Sequence, residues 1–240
     1  WGVASAMKEA GDGLQSWFDV ILIDEASQMK LPEALIAFSA GAPDGTVILA
    51  GDDRQLPTII HGAYPEEHEA MLFAARAIFQ LEDNFRANKP LIVYQGDALY
   101  NGRFFSQQPG IRIRTQPPAE DTDDLIDFLL HPDRPVVLVR YSAPISFTAR
   151  NPLEAELAAH IATRLLAVLV PPGADAPGDA AYFAAQGFAI LAPHRAQNAA
   201  IRGLLAHQGF GTPERPLPLV DTVDKLQGQE RDVVVVSYGV

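Results

Sequence analysis

Cysteine is missing from all 240 residues, and its absence removes disulfides, thiolate metal sites and cysteine nucleophiles at once. The six histidines (His61, His68, His131, His160, His194 and His207) lack the close spacing of a metal site, so any catalytic metal must be held by carboxylates and phosphates. No apolar run approaches the roughly 20 residues that cross a bilayer. The opening WGVASAMKEAGDG also lacks the charged-then-apolar order of a signal peptide, so the expectation is a cytoplasmic protein with no membrane partner. Basic residues are scarce: 18 Lys and Arg stand against 30 Asp and Glu, a net charge of −12 that argues against a nonspecific polyanion binder. The deficit is uneven. Residues 1–83 hold four Lys and Arg against fourteen Asp and Glu, and residues 84–240 hold fourteen against sixteen, so composition permits a local nucleic-acid track in the second part without establishing one.

What is present is the composition of an ordinary globular chain, 48% hydrophobic and 20% charged. Strand-like apolar runs alternate with helix-like segments, the pattern of an α/β protein with mostly parallel sheets. Strands are predicted at 18–23, 46–50 (TVILA), 135–140 (PVVLVR), 187–192 (GFAILA) and 232–238 (DVVVVSY), with a short edge strand around Ile111–Arg114. Helices are predicted at 31–40, 67–80, 88–100, 152–169 and 194–208. The 152–169 helix has Asn151 as cap, Pro152 in its first turn and Glu154 three residues after the cap. PPGADAPGDAA after it reads as a surface loop.

The run Val20-Ile21-Leu22-Ile23 reads as a strand buried on both faces, and it ends abruptly in Asp24 and Glu25. Ligands of open α/β sheets bind beyond the carboxyl tips of the strands. There Asp24 can hold Mg²⁺ through water while Glu25 takes a proton from an attacking water, the Walker B arrangement of nucleotide hydrolases. A polar strand end facing solvent is the plainer alternative. The next strand also ends in a polar group, GDDRQLPT, where Gly51 permits a sharp exit and the Gln55 amide is able to contact a phosphate oxygen or orient a water. Two such constellations on consecutive strand tips suggest a shared cleft. Further on, Gly228 lets backbone approach a ligand closely, and Glu230 is able to accept hydrogen bonds from a ribose. APHRAQ opens a helix whose first amides, with His194 and Arg195, are placed to grip a phosphate. A solvated helix start explains Arg195 as readily.

Taken together, IDEASQM, GDDRQLPT, LEDNFRANKPL, LAPHRAQ and VDTVDKLQGQERDVVVVS, in this order, resemble motifs II, III, IV, IVa and V of superfamily 1 helicases, most of all the Upf-like group of the 1B branch. The resemblance runs from about residue 18 to 238. It implies two RecA-like domains of the P-loop NTPase (AAA) class, with ATP and Mg²⁺ between them and single-stranded DNA or RNA across both, working as a monomeric motor. By the same resemblance Asp24 is the Mg²⁺ carboxylate, Glu25 the base that activates water, and Gln55 the glutamine that senses the γ-phosphate. Phe85 stacks on the base of ATP, where the family more often has Tyr; Arg86 is an arginine finger; Thr222 holds a nucleic-acid phosphate.

The implied division is 1–83, the C-terminal part of a first RecA-like domain, and 84–240, most of a second. The first is truncated at its N-terminus and the second at its C-terminus. No Gly-Lys dipeptide occurs, so the phosphate-cradling P-loop is not among these residues, and neither is the family's motif VI. The expectation is therefore an excerpt of a longer ATP-dependent translocase, inert by itself. The alternative is a helicase-like adaptor that binds nucleic acid or a protein without turnover.

Overall fold

The computed structural model describes residues 17–55, 79–116, 123–143 and 147–239. Two compact units divide the chain, Trp1–Leu81 and Glu82–Val240. The predicted helix at 67–80 lies, but for its last two positions, outside the described residues.

In the first unit β1 (Phe18–Ile23) pairs in parallel with β2 (Gly41–Leu49), with α1 (Leu31–Phe38) between them in the chain. β2 begins five residues before the predicted start. Its opening Gly-Ala-Pro-Asp-Gly carries no strand preference, and pairing with Phe18 across a register irregularity draws it in. The small core gathers Ile23, Ala26 and Ala34, with Ile21, Ala37, Phe38 and Leu49 packed on it. One face of β1 is thus covered and the other is not: Val20 and Leu22 are 58% and 65% exposed, which corrects the expectation of a strand buried on both faces. An unbroken apolar run states a preference for burial. It does not supply a second layer.

The second unit is built around a three-stranded parallel sheet ordered β8 (Leu219–Asp221), β7 (Phe188–Leu191), β9 (Val233–Val236). All four residues of the central β7 are buried. Against the sheet pack α4 (Pro152–Val168) and α5 (Arg195–His207), which bury Ala155, Ala158, Ala162 and Leu165 from one and Ile201 and Leu205 from the other. Small side chains along α4 let the helices approach closely. Phe183 stacks on Phe188 with ring centroids 5.2 Å apart and completes the core with Phe210.

Caps set the helix starts, at Asn151 as the sequence suggested and at Asn88 besides. Asn151 accepts from the Glu154 amide at the head of α4, and Asn88 does the same for Leu91 at the head of α2 (Lys89–Leu99). A parallel pair of two-residue strands, β3 (Asp83–Asn84) and β4 (Phe105–Ser106), flanks α2. The predicted edge strand is shifted by a few residues to β5 (Arg114–Thr115), antiparallel to β6 (Leu169–Val170). α3 (Asp124–Leu129), capped by Asp123, docks on α4 through Asp127 and Arg164.

Residues 135–140 form no strand, contrary to expectation. Val136 and Leu138 are 67% and 75% exposed, and none of the described residues pairs with the run. β-branched content marks a segment that suits a sheet, but a strand exists only where a partner takes its backbone hydrogen bonds.

Candidate functional site

Parallel pairing places the two polar strand tips of the first unit side by side. Ile23 pairs with Leu49; beyond them Ala50 donates its N–H to the Ile23 carbonyl and Ala26 donates to the Ala50 carbonyl, both at 2.8 Å. Asp24-Glu25 and Gly51–Gln55 therefore leave neighbouring strands at the same edge. Glu25 has left-handed backbone, φ 52° and ψ 37°, which is uncommon outside glycine and turns the chain into the single turn Ala26–Gln28. The Glu25 N–H donates to Asp24 Oδ1 at 2.9 Å, leaving Oδ2 for a ligand.

Each of the other two candidate groups here has a side-chain partner three residues away. Gln28 Nε2 donates to Glu25 Oε2 at 2.9 Å, and Gln55 Nε2 donates to Asp52 Oδ2 at 3.0 Å. Asp52 Oδ1 also accepts from the Arg54 amide. Sequence reasoning missed both Gln28 and Asp52. The only available signal was their spacing from residues already suspected.

The described residues contain no cluster of three or more metal-ligating side chains. A single exposed Asp24 carboxylate nevertheless fits Mg²⁺, which keeps several waters and is commonly held by one or two carboxylates plus substrate phosphates.

In the second unit Phe85 and Arg86 sit on the turn after β3. The Asn84 side chain shapes that turn by accepting from the Arg86 and Ala87 amides at 3.0 and 2.8 Å. Phe85 is left 66% exposed. Arg86 forms an exposed ion pair with Glu230, so residues from opposite ends of this unit meet. Two residues before Glu230, Gly228 takes φ 75°, a conformation that favours glycine, in the turn that follows α6 (Val223–Leu226).

His194, Arg195 and Thr222 also converge. The Ala192 amide donates to the Asp221 carbonyl at 3.1 Å, which brings the exits of β7 and β8 together at the carboxyl edge of the sheet. His194 caps α5 and Thr222 caps α6, each through backbone alone. The Thr222 hydroxyl hydrogen-bonds the Asp224 carboxylate and holds it below the usual carboxylate range; the charges of Lys225 and Arg195 add to the effect.

A buried polar network beneath this edge went unread. The Gln197 amide is fully buried; its Oε1 accepts from the Asn151 N–H at 2.7 Å, and its Nε2 donates to the Asn151 carbonyl and to Ser237 Oγ. Glu154 Oε2 accepts from Ser237 Oγ and from the Gly239 amide at 2.6 and 2.8 Å. A faint signal existed: Gln197 occupies the same helical face as Ile201 and Leu205, a polar residue in a core register.

The chain is thus of the α/β class, with paired polar strand tips that bear carboxylates in one unit and an arginine beside an exposed aromatic in the other. A family model described as an AAA domain matches residues 67–239, a second AAA domain model matches residues 3–63, and the chain belongs to this family. Within it, the chain is of the superfamily 1, Upf-like helicase kind. It is 26% identical to the DNA replication ATP-dependent helicase/nuclease JHS1 of Arabidopsis thaliana over 92% of this chain and 16% of that protein. It is 25% identical to the uncharacterized ATP-dependent helicase MJ0104 of Methanocaldococcus jannaschii over 98% and 34%, and 28% identical to the ATP-dependent helicase NAM7 of Saccharomyces cerevisiae over 95% and 23%. The chain thus spans between 16% and 34% of the length of these relatives. No helix among the described residues is long and apolar enough to cross a membrane.

Proposed function

We propose that the chain is a fragment of the ATP-hydrolysing core of a motor that steps along single-stranded DNA or RNA, its two units being RecA-like. The observation that carries this reading is that the segments Asp24-Glu25 and Gly51–Gln55 leave paired parallel strands at the same edge. In this reading the Asp24 carboxylate is the protein's contribution to holding Mg²⁺, which when bound neutralises charge on the phosphates. Glu25 takes the proton of the attacking water, and Gln55 faces the γ-phosphate or that water. Phe85 stacks on the base of ATP, since ring faces serve without a hydroxyl. Glu230 accepts from the ribose, beside the backbone of Gly228. Arg86 stabilises charge on the transferring phosphoryl group, a role that suits a planar, permanently charged donor. His194, Arg195 and Thr222 hold the backbone of the nucleic acid.

The 240 residues contain no Gly-Lys dipeptide, so we assign turnover to the full-length gene product and expect this stretch alone to be inert. The test is ATP hydrolysis by the full-length product with and without single-stranded DNA and RNA. Strong stimulation by one of them supports the motor and names its track. Nucleic-acid binding without turnover replaces it with a non-hydrolysing adaptor.

A further inference from the structure

Glu25 and its neighbour Gln28 support an inference that rests on the reading of Glu25 as the base. A base that activates water must keep one carboxylate oxygen aimed at it, and the flexible side chain of an exposed glutamate does not hold such an aim by itself. Here the aim is set in two stages. The left-handed backbone of Glu25 is held by the Asp24 carboxylate on its own amide, by the Ala26 amide on Ala50, and by the Gln28 amide on the Glu25 carbonyl at 2.9 Å. That turn folds Gln28 back over Glu25, and its amide takes Oε2.

One oxygen, Oε2, is thereby engaged, and Oε1 is the oxygen left to accept a proton. We infer that Gln28 is a positioning residue for hydrolysis: its Nε2–H holds Glu25 in the rotamer from which Oε1 accepts the proton of the attacking water. Gln28 itself touches neither nucleotide nor water. The role needs a hydrogen-bond donor at this position and nothing else of the side chain. Gln28 is only half-buried, so removing its amide does not unmake a core.

The experiment uses the full-length gene product and four variants: Q28L, which removes the donor; Q28E, which keeps the shape but replaces the donor with an acceptor; Q28K, which restores a donor; and E25Q as control. Steady-state ATP hydrolysis is measured alongside equilibrium binding of a non-hydrolysable ATP analogue. The expected result is a fall in kcat on the order of 10- to 100-fold for Q28L and Q28E, with analogue affinity within about twofold of the unsubstituted protein and partial recovery of kcat in Q28K. Unchanged kcat in Q28L, or loss of analogue binding in step with kcat, overturns the assignment of Gln28 while leaving the functional reading standing if E25Q is inactive. Near-normal hydrolysis by E25Q overturns the functional reading, and the role of Gln28 with it.

Discussion

Arg86 and Glu230 are ion-paired at the surface of the second unit, one following β3 and the other preceding β9. In the proposed mechanism each has a different nucleotide group to serve, so the pair must open when ATP binds. Both side chains are more than half exposed, and exposed pairs contribute only about 0–1 kcal/mol. Opening it is therefore cheap. Glu230→Ala is expected to leave the melting temperature nearly unchanged while raising the KM for ATP. Arg86→Ala is expected to lower kcat by about 10³-fold or more. Thermal melts and steady-state kinetics on the full-length product check both.

Glu25→Gln removes the proton acceptor but keeps the size of the side chain. Turnover should be abolished while ATP binding persists, as read by single-turnover hydrolysis beside fluorescent-nucleotide binding. Hydrolysis near the normal rate removes Glu25 from the role.

Arg195 and Thr222 make separable predictions at the grip. Arg195→Ala should weaken binding of single strands regardless of sequence and reduce the slope of log K against log salt by about 0.7. Thr222→Ala removes an uncharged hydroxyl, so it should weaken binding with the salt slope preserved. It also frees the Asp224 carboxylate from its hydroxyl donor, letting that group titrate nearer the ordinary range. Binding titrations at several salt concentrations separate the two.

Asp127 and Arg164 concern stability. The guanidinium donates to both carboxylate oxygens at 2.8 Å, and this hydrogen bonding chiefly holds the Asp127 carboxyl below its usual value. A depressed folded value means the contribution is present above the unfolded pKa, about 3.9, and is lost as pH falls through the folded one. Asp127→Asn removes the carboxylate charge that faces the buried Arg164 guanidinium and should cost about 3 kcal/mol at pH 7. The variant should also lose less stability than the unsubstituted protein between pH 5 and the acid transition. Urea unfolding across that range measures both effects.

What the sequence made legible follows from how local each signal is. Helices with a cap and a sustained period, such as Pro152–Val168 behind Asn151, are written in neighbouring residues. Strands depend on partners elsewhere, so PVVLVR looked like one and is not, while β8, entered through Pro216 and Pro218, was missed. The candidate polar tips were visible because each is a contiguous string. Gln28 and Asp52 were not, since their roles arise from a backbone turn that no residue type announces. The network of Gln197, Asn151, Glu154 and Ser237 joins three distant stretches and is readable only after the fold exists.

The burial of β7 between β8 and β9 sets a hierarchy in time. Amides in the middle of a fully buried strand exchange with solvent only when the whole unit opens, whereas the two-residue ladder of β3 and β4 is held by few bonds and opens readily. The residues proposed to hold nucleic acid are thus anchored to the slowest-opening part of the unit, and the turn bearing Phe85 and Arg86 to one of the fastest. The grip stays fixed through many openings of the segment that would read the nucleotide.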